Sequence, residues 1–388
     1  MASSSDLGTL DSVVSNAISL ITQLEAVVQG LLSQKQPPAD DNAPTAAETS
    51  TTQATPEALS LAHDSATLIK AHATKISLLI INEPFTPTAI TKVIRELVEA
   101  PLPGLASAVQ LCKADRYTRV IQHELAWRAS RVIKELRELL SRIPKDGKIL
   151  TNEKKNASAG ASGGKGSIAT TGVLWSACDD VIAFSKRGVS GNLTQKVGEL
   201  KDTLKDVMEE LKEWGEETGD DEDDDGDDED EVNQVTQGLA GAQISATQST
   251  QDMLDDLMNS QQYIPRDDPH KIRERLESCL RRLRLTTLLY QATVKRRLKP
   301  LPPLPSKEES TIPARLDEVM AILKRIPDRF GNLALAFYEL DPSEIDRLMD
   351  QCFFDAFAAS ELLVKTWDGQ KDEFSDWALK FQVEIKKA

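Results

Sequence analysis

Histidine and cysteine are the residues of this 388-residue chain best suited to nucleophilic or metal chemistry, and they are scattered along it. None lies in a C-x-x-C, H-E-x-x-H or G-x-S-x-G pattern, which would predict a zinc site or a hydrolase. The Glu-x-x-His pair of metal-binding helical bundles is missing at every histidine. We therefore expect no catalytic residue, metal or cofactor, and reduced, buried thiols. These residues are His63, His72, His123, His270, Cys112, Cys178, Cys279 and Cys352.

A regular apolar seam is the most periodic feature of the chain. Its spacings alternate between four and three residues over three heptads, as at coiled-coil a and d positions. The pattern predicts either a leucine-zipper surface that pairs with another chain or a helix that buries the seam in its own bundle. We favour the bundle, although six of these residues remain candidates for partner binding. The seam consists of Leu193, Val197, Leu200, Leu204, Val207 and Leu211, followed by Trp214.

Residues 266–299 are strongly basic, with eleven Lys or Arg side chains against four Asp or Glu. One interpretation is a basic helix that contacts DNA through its phosphates. Apolar residues recur at helical spacing in the same stretch, so one face should be core. We favour a solvated basic face that could pair with the acidic segment of the same chain, residues 216–231, and we expect no direct nucleic-acid partner.

A proline-rich break follows at 297–307 and contains Arg297-x-x-Pro300-x-x-Pro303. This is the minimal spacing that SH3-type grooves recognise, with a basic residue at one end. A rigid spacer between helices explains the same residues, and we favour it because such matches arise often in interhelical breaks. Arg297, Pro300 and Pro303 are therefore the second set of candidate partner-binding residues.

The negative charge of the chain is concentrated in one segment. Residues 216–231 contain thirteen acidic side chains and no basic one, so removing them from the net charge of −16 leaves −3 for the rest. Like charges at this density repel one another and offer no apolar surface, which predicts a disordered linker. The chain also lacks a signal peptide and an apolar stretch that could span a bilayer, so we expect an intracellular protein without a membrane partner.

Helical periodicity runs through almost every segment between these interruptions. We predict an N-terminal helix and flexible linker over 1–55, a helical bundle over 56–215, the acidic linker over 216–233 and a second bundle over 234–388. The fold class is therefore all-α, with two helical bundles separated by an acidic linker. The expected helices include about 115–143, 170–187, 192–215, 234–259, 269–298 and 312–326.

The order of several short motifs resembles the cyclin-D-binding protein family, the cyclin-D-interacting or Maid-like proteins. The resemblance covers about two thirds of the chain, with an acidic run at its centre. The N-terminal linker, the loop at 156–167 and the proline-rich break look like additions to the family pattern. The resembling pieces are Val173–Cys178, Leu193–Leu211, Ser278–Leu283, Leu316–Val319 and Asp328–Pro342.

This resemblance implies two all-α bundles related to those of talin-like proteins. It also implies a non-enzymatic adaptor of cell-cycle control that binds D-type cyclins or helix–loop–helix regulators in cytoplasm and nucleus. Two other hypotheses stay open: a transcriptional co-regulator acting through the 192–214 seam, and a talin-like cytoskeletal scaffold. The oligomeric state stays open as well.

Overall fold

The computed structural model describes residues 4–33, 57–151, 166–216, 263–305 and 310–387. All regular secondary structure in these ranges is helical, which confirms the predicted all-α fold. The acidic segment beyond Glu216 and the helix predicted at 234–259 lie outside the described residues.

The described helices are numbered in chain order. The first seven are α1 (Ser4–Ser33), α2 (Ala58–Ile81), α3 (Pro87–Glu99), α4 (Pro101–Leu111), α5 (Ala114–Tyr117), α6 (Arg119–Ser141) and α7 (Ser167–Glu216). They are followed by α8 (Ile272–Thr293), which continues into a π-helical turn at Val294–Leu298, and by α9 (Ile312–Tyr338), α10 (Pro342–Leu363) and α11 (Glu373–Glu384).

These helices form two compact units. The first unit comprises Met1–Leu193 and Leu301–Asp317, and the second comprises Thr194–Pro300 and Glu318–Ala388. Helix α7 contributes to both units, because it continues past Leu193 into the second.

Helix α1 is part of the first unit and packs on α3 and α6. An ion pair of 2.7 Å joins Arg137 Nη1 to Glu25 Oε2, and Gln29 Nε2 donates to Ser130 Oγ at 2.8 Å. One face of α1 is buried because its apolar residues recur every three or four positions. These residues are Leu10, Val14, Ala17, Ile21 and Val28.

Two helix boundaries of the first unit depend on unusual backbone angles. Thr118 has φ 118°, and it separates α5 from α6 where the sequence predicted one helix over about 115–143. Its hydroxyl accepts from the amide of Ile121 at 3.2 Å and so caps α6. In α7, Gly188 adopts φ 66° and ψ −174°, which divides the helix into two segments close to the predicted 170–187 and 192–215.

Helix α9 continues through Pro327 to Tyr338, although the sequence predicted an end near residue 326. Proline has no amide hydrogen, so it leaves the carbonyl of Leu323, four residues earlier, without its helical donor. The Tyr290 hydroxyl donates to this carbonyl at 2.6 Å and replaces the lost bond. Tyr290 is fully buried, and its burial raises its pKa well above the ordinary value.

The second unit contains buried charge in addition to its apolar core. Helices α8 and α10 pack together, and α10 also contacts α11. Asp355 on α10 is 2 % exposed, and its carboxylate pairs with Arg325 at 2.6 Å and with Arg329 at 2.8 Å, both from α9. Among the described helices, none has an apolar stretch long enough to cross a bilayer.

Candidate functional site

The structure buries most of the predicted seam. Leu193 packs in the first unit, whereas Val197, Leu204, Leu211 and Trp214 are buried in the second. The Trp214 ring contacts the rings of Phe337 and Tyr338 of α9, with centroids 6.2 and 5.4 Å apart. Leu200 and Val207 are only half-buried. Most of the seam is therefore core, as the bundle interpretation predicts for all of it.

Arg297 lies in the core of the second unit, with 1 % of its surface exposed. Its Nη1 and Nη2 atoms bind both carboxylate oxygens of Asp372, at 2.8 and 2.9 Å. Its guanidinium also donates to the carbonyls of Leu363 and Val364, at 2.8 and 3.0 Å, and stands 4.4 Å from the Phe374 ring centroid. This contradicts the role of Arg297 as the basic anchor of an SH3 ligand.

The bond to Arg297 lowers the pKa of Asp372 to about 2. Asp372 is also the N-cap of α11 and forms a capping box with Ser375. One buried arginine thus joins the ends of α8 and α10 to the start of α11.

The proline-rich break alternates between exposed and buried residues. Pro300 and Pro303 are exposed, while Leu301 and Leu304 are buried. Leu301 and Leu304 belong to the first unit, so the break is held in place by its leucines. This arrangement agrees with a packed spacer.

Several arginines of the basic stretch are bound within the second unit. Arg275 pairs with Asp346 at 2.8 Å, and Arg296 pairs with Glu373 at 3.0 Å. Arg282 is buried with its guanidinium 3.7 Å from the Phe353 ring centroid, and burial lowers its pKa. Arg275 and Arg296 thus find acidic partners on α10 and at the start of α11, whereas the predicted partner, the acidic segment beyond Glu216, lies outside the described residues.

An exposed apolar surface on α2 and α7 was not predicted. Leu78, Ile168 and Trp175 are 52 %, 49 % and 38 % exposed, and we call them the Trp175 surface. The Trp175 indole donates to Thr74 Oγ1 at 3.0 Å, which fixes the ring against α2.

Polar contacts align α2 with the first segment of α7. Ser77 and Thr171 hydroxyls meet at 3.0 Å, and Lys70 pairs with Asp179 at 2.6 Å. Residue numbers rise along α2 as they fall along α7, so the two helices are antiparallel. Leu78 and Ile168 therefore lie toward the same end of this helix pair.

A second exposed tryptophan lies on α6. Trp127 is 46 % exposed, and the Arg131 guanidinium stands 5.3 Å from its ring centroid. Arg131 also pairs with Asp180 of α7 at 2.7 Å. The carboxylate of Asp179 thus binds α2, and the adjacent carboxylate of Asp180 binds α6. The first segment of α7 therefore contacts both helices.

The four cysteines are free and fully buried, as expected. Burial raises the thiol pKa of Cys112, Cys178 and Cys279 to about 12, so they are poor nucleophiles at neutral pH. In the part of the chain that the structure describes, no three His, Cys, Asp or Glu side chains converge as metal ligands would.

Comparisons with known proteins place the Trp175 surface inside a matched region. Residues 62–217 match a family model described as "Grap2 and cyclin-D-interacting, N-terminal", which confirms the resemblance for this part of the chain. The chain is also 28 % identical over 153 residues to an uncharacterized protein of Schizosaccharomyces pombe. That similarity covers 39 % of this chain and 43 % of the relative.

Proposed function

We propose that this protein is a non-enzymatic helical adaptor that regulates cell-cycle progression by binding D-type cyclins or helix–loop–helix regulators. The match of residues 62–217 to a cyclin-D-interacting family model is the observation that supports this proposal most directly. We propose that the adaptor acts in both cytoplasm and nucleus.

We assign partner binding to the Trp175 surface. Tryptophan is enriched among residues that dominate binding energy, and an exposed apolar cluster on a folded unit is typical of an interaction site. The hydrogen bond to Thr74 fixes the indole before binding, which reduces the entropy lost in the complex. The buried seam supports the alternative co-regulator less well, because a partner could reach Leu204 or Leu211 only after the second unit opened.

Binding of purified D-type cyclins tests the assignment. The double variant Trp175→Ala/Leu78→Ala should weaken binding by about tenfold or more, since two contact residues are truncated. Because the Trp175 ring is partly buried and its indole is bonded to Thr74, the variant should lose some stability, so binding is measured well below its melting temperature. Trp127→Ala is the matched control, since it removes an exposed tryptophan from the same unit, and it should bind as the wild type does.

Two outcomes would contradict the proposal. A wild-type chain that binds neither D-type cyclins nor helix–loop–helix regulators would remove the proposed function. Loss of binding with Trp127→Ala but not with the double variant would keep the function and move the site to α6.

A further inference from the structure

The second unit contains a groove between the C-terminal turns of α7 and the first turns of α8. Its volume is about 530 Å³, and we call it the α7–α8 groove. Met208, Leu276 and Leu280 supply its apolar lining, and Arg281 and Arg284 lie on its rim. Lys212, Arg273, Glu209, Glu216 and Glu277 complete the charged lining. An apolar floor with a charged rim is suited to the apolar face of an amphipathic helix.

One arginine holds both ends of residues 217–262 beside this groove. Arg273 Nη1 donates to the carbonyl of Gly215 at 3.4 Å, and its Nη2 donates to the carbonyl of Ile264 at 3.2 Å. Gly215 itself lies against Leu276, where an added Cβ would approach the leucine Cδ2 to 2.3 Å. The chain therefore leaves and re-enters the second unit at the same end of the groove.

The sequence between these ends contains a short amphipathic pattern. At 100° per residue, Met253, Leu254, Leu257 and Met258 of a helix would occupy one arc, with acidic residues on both sides of it. The residues on either side are Asp255 and Asp256. The acidic run that precedes this pattern has no comparable apolar group and cannot fill an apolar floor.

We propose that residues 251–259 occupy the α7–α8 groove of their own chain as an amphipathic helix. The apolar arc would cover Met208, Leu276 and Leu280, and the aspartates would meet the arginines of the rim. Because both ends of the connecting segment are held at the groove, the local concentration of this helix is high without any second chain. This proposal does not depend on the proposed adaptor function.

Thiol labelling of the full chain measures this docking. The native cysteines are buried, so the wild-type chain supplies a low background for maleimide reaction. Leu257→Cys places a small apolar thiol in the proposed contact, and Ser245→Cys places one in the same segment outside it. We expect the Leu257→Cys thiol to react about tenfold more slowly than the Ser245→Cys thiol, because reaction requires the helix to leave the groove.

Variants of the groove distinguish this site from any other that protects residue 257. Adding Leu280→Asp should abolish the protection, whereas Leu288→Asp should preserve it, because Leu288 is exposed on the same helix but does not line the groove. Arg284→Glu replaces an exposed residue of the rim and leaves the core intact, and it should reduce the protection several-fold. This variant replaces Leu280→Asp in the experiment if that variant does not fold.

Three results would overturn the proposal. Equal labelling at 257 and 245 in the otherwise unchanged chain would exclude docking. Protection that survives both Leu280→Asp and Arg284→Glu would place the segment elsewhere. Protection that grows with protein concentration over a roughly fifty-fold range would show that a second copy, and not the same chain, supplies the helix.

Discussion

The two units of the chain are both built from helices, but they use charge differently. In the first unit, pairs such as Lys70–Asp179 and Arg131–Asp180 lie at the surface around an aliphatic core. In the second unit, Arg297 and Asp355 are buried, and each organises the ends or faces of several helices.

This difference changes what each unit needs in order to fold. The free energy gained by burying aliphatic side chains is non-directional and depends mainly on the area removed from water. A buried guanidinium must find all its acceptors at once, and removing one partner leaves an uncompensated charge. Replacing a single charged residue should therefore destabilise the second unit more than the first. Replacing a fully buried leucine should destabilise the two units by similar amounts.

The largest expected effect is that of Arg297→Ala. We expect it to lower the free energy of unfolding of the second unit by about 3–5 kcal/mol, because Asp372 and the carbonyls of Leu363 and Val364 lose their donor. Hydrogen exchange read by mass spectrometry separates the two units. Lys70→Ala, which breaks the surface pair with Asp179 in the first unit, is the control and should cost about 1 kcal/mol or less. Equal losses would contradict the comparison.

The second prediction concerns buried leucines, whose replacement should lower the free energy of unfolding by similar amounts in the two units. Leu204→Ala in the second unit and Leu136→Ala in the first should each cost about 2–4 kcal/mol, because both side chains are fully buried. Leu200→Ala should cost about 1 kcal/mol, since Leu200 is only half-buried. The same exchange measurement tests all three. A cost at Leu200 equal to that at Leu204 would show that the seam is buried more uniformly.

Acidification should weaken the first unit before the second. His72 of α2 is buried, and burial together with the charge of Lys75 lowers its pKa from 6.5, while Glu96 raises it. The folded state then binds fewer protons than the unfolded state, so this contribution to stability is complete above pH 6.5 and declines below it. Unfolding by urea should therefore begin earlier at pH 5.5 than at pH 7.5, with a smaller difference in His72→Gln.

Asp372 determines how the stability of the second unit responds to acid. Its pKa is about 2 in the folded state against 3.8 ordinarily, so its contribution is complete above about pH 3.8 and is lost as the pH falls through 2. Proteolysis in urea at several pH values, with fragments assigned to each unit, follows both transitions. Simultaneous weakening of the two units near pH 6 would contradict this order.

The smallest effect is expected from deleting residues 217–231. Arg273 holds the flanking carbonyls together, so the deletion shortens a closed loop and should change stability by about 1 kcal/mol or less. The melting temperature should stay within a few degrees. A collapse of helicity would show that the acidic residues contribute to the second unit.

Helical periodicity alone was sufficient to predict the all-α fold and the burial of most of the seam. Leu204 and Leu211 are buried because four- and three-residue spacing places them on one helix face, whatever that face packs against. The same reasoning misplaced Arg297, because its fate depends on Asp372, which lies 75 residues away in the sequence. It also missed the Trp175 surface, because Leu78, Ile168 and Trp175 come from two helices, and their spacing does not show that these helices pack side by side.

The passage of α9 through Pro327 has an evolutionary consequence. The proline removes a donor, and the Tyr290 hydroxyl supplies one, so neither residue is independent of the other. A relative with a non-proline residue at 327 would restore the helical amide, and its position 290 would be free to become phenylalanine. A relative that keeps the proline should keep the hydroxyl. We therefore expect these two positions to vary together among related sequences, as partners that share one carbonyl.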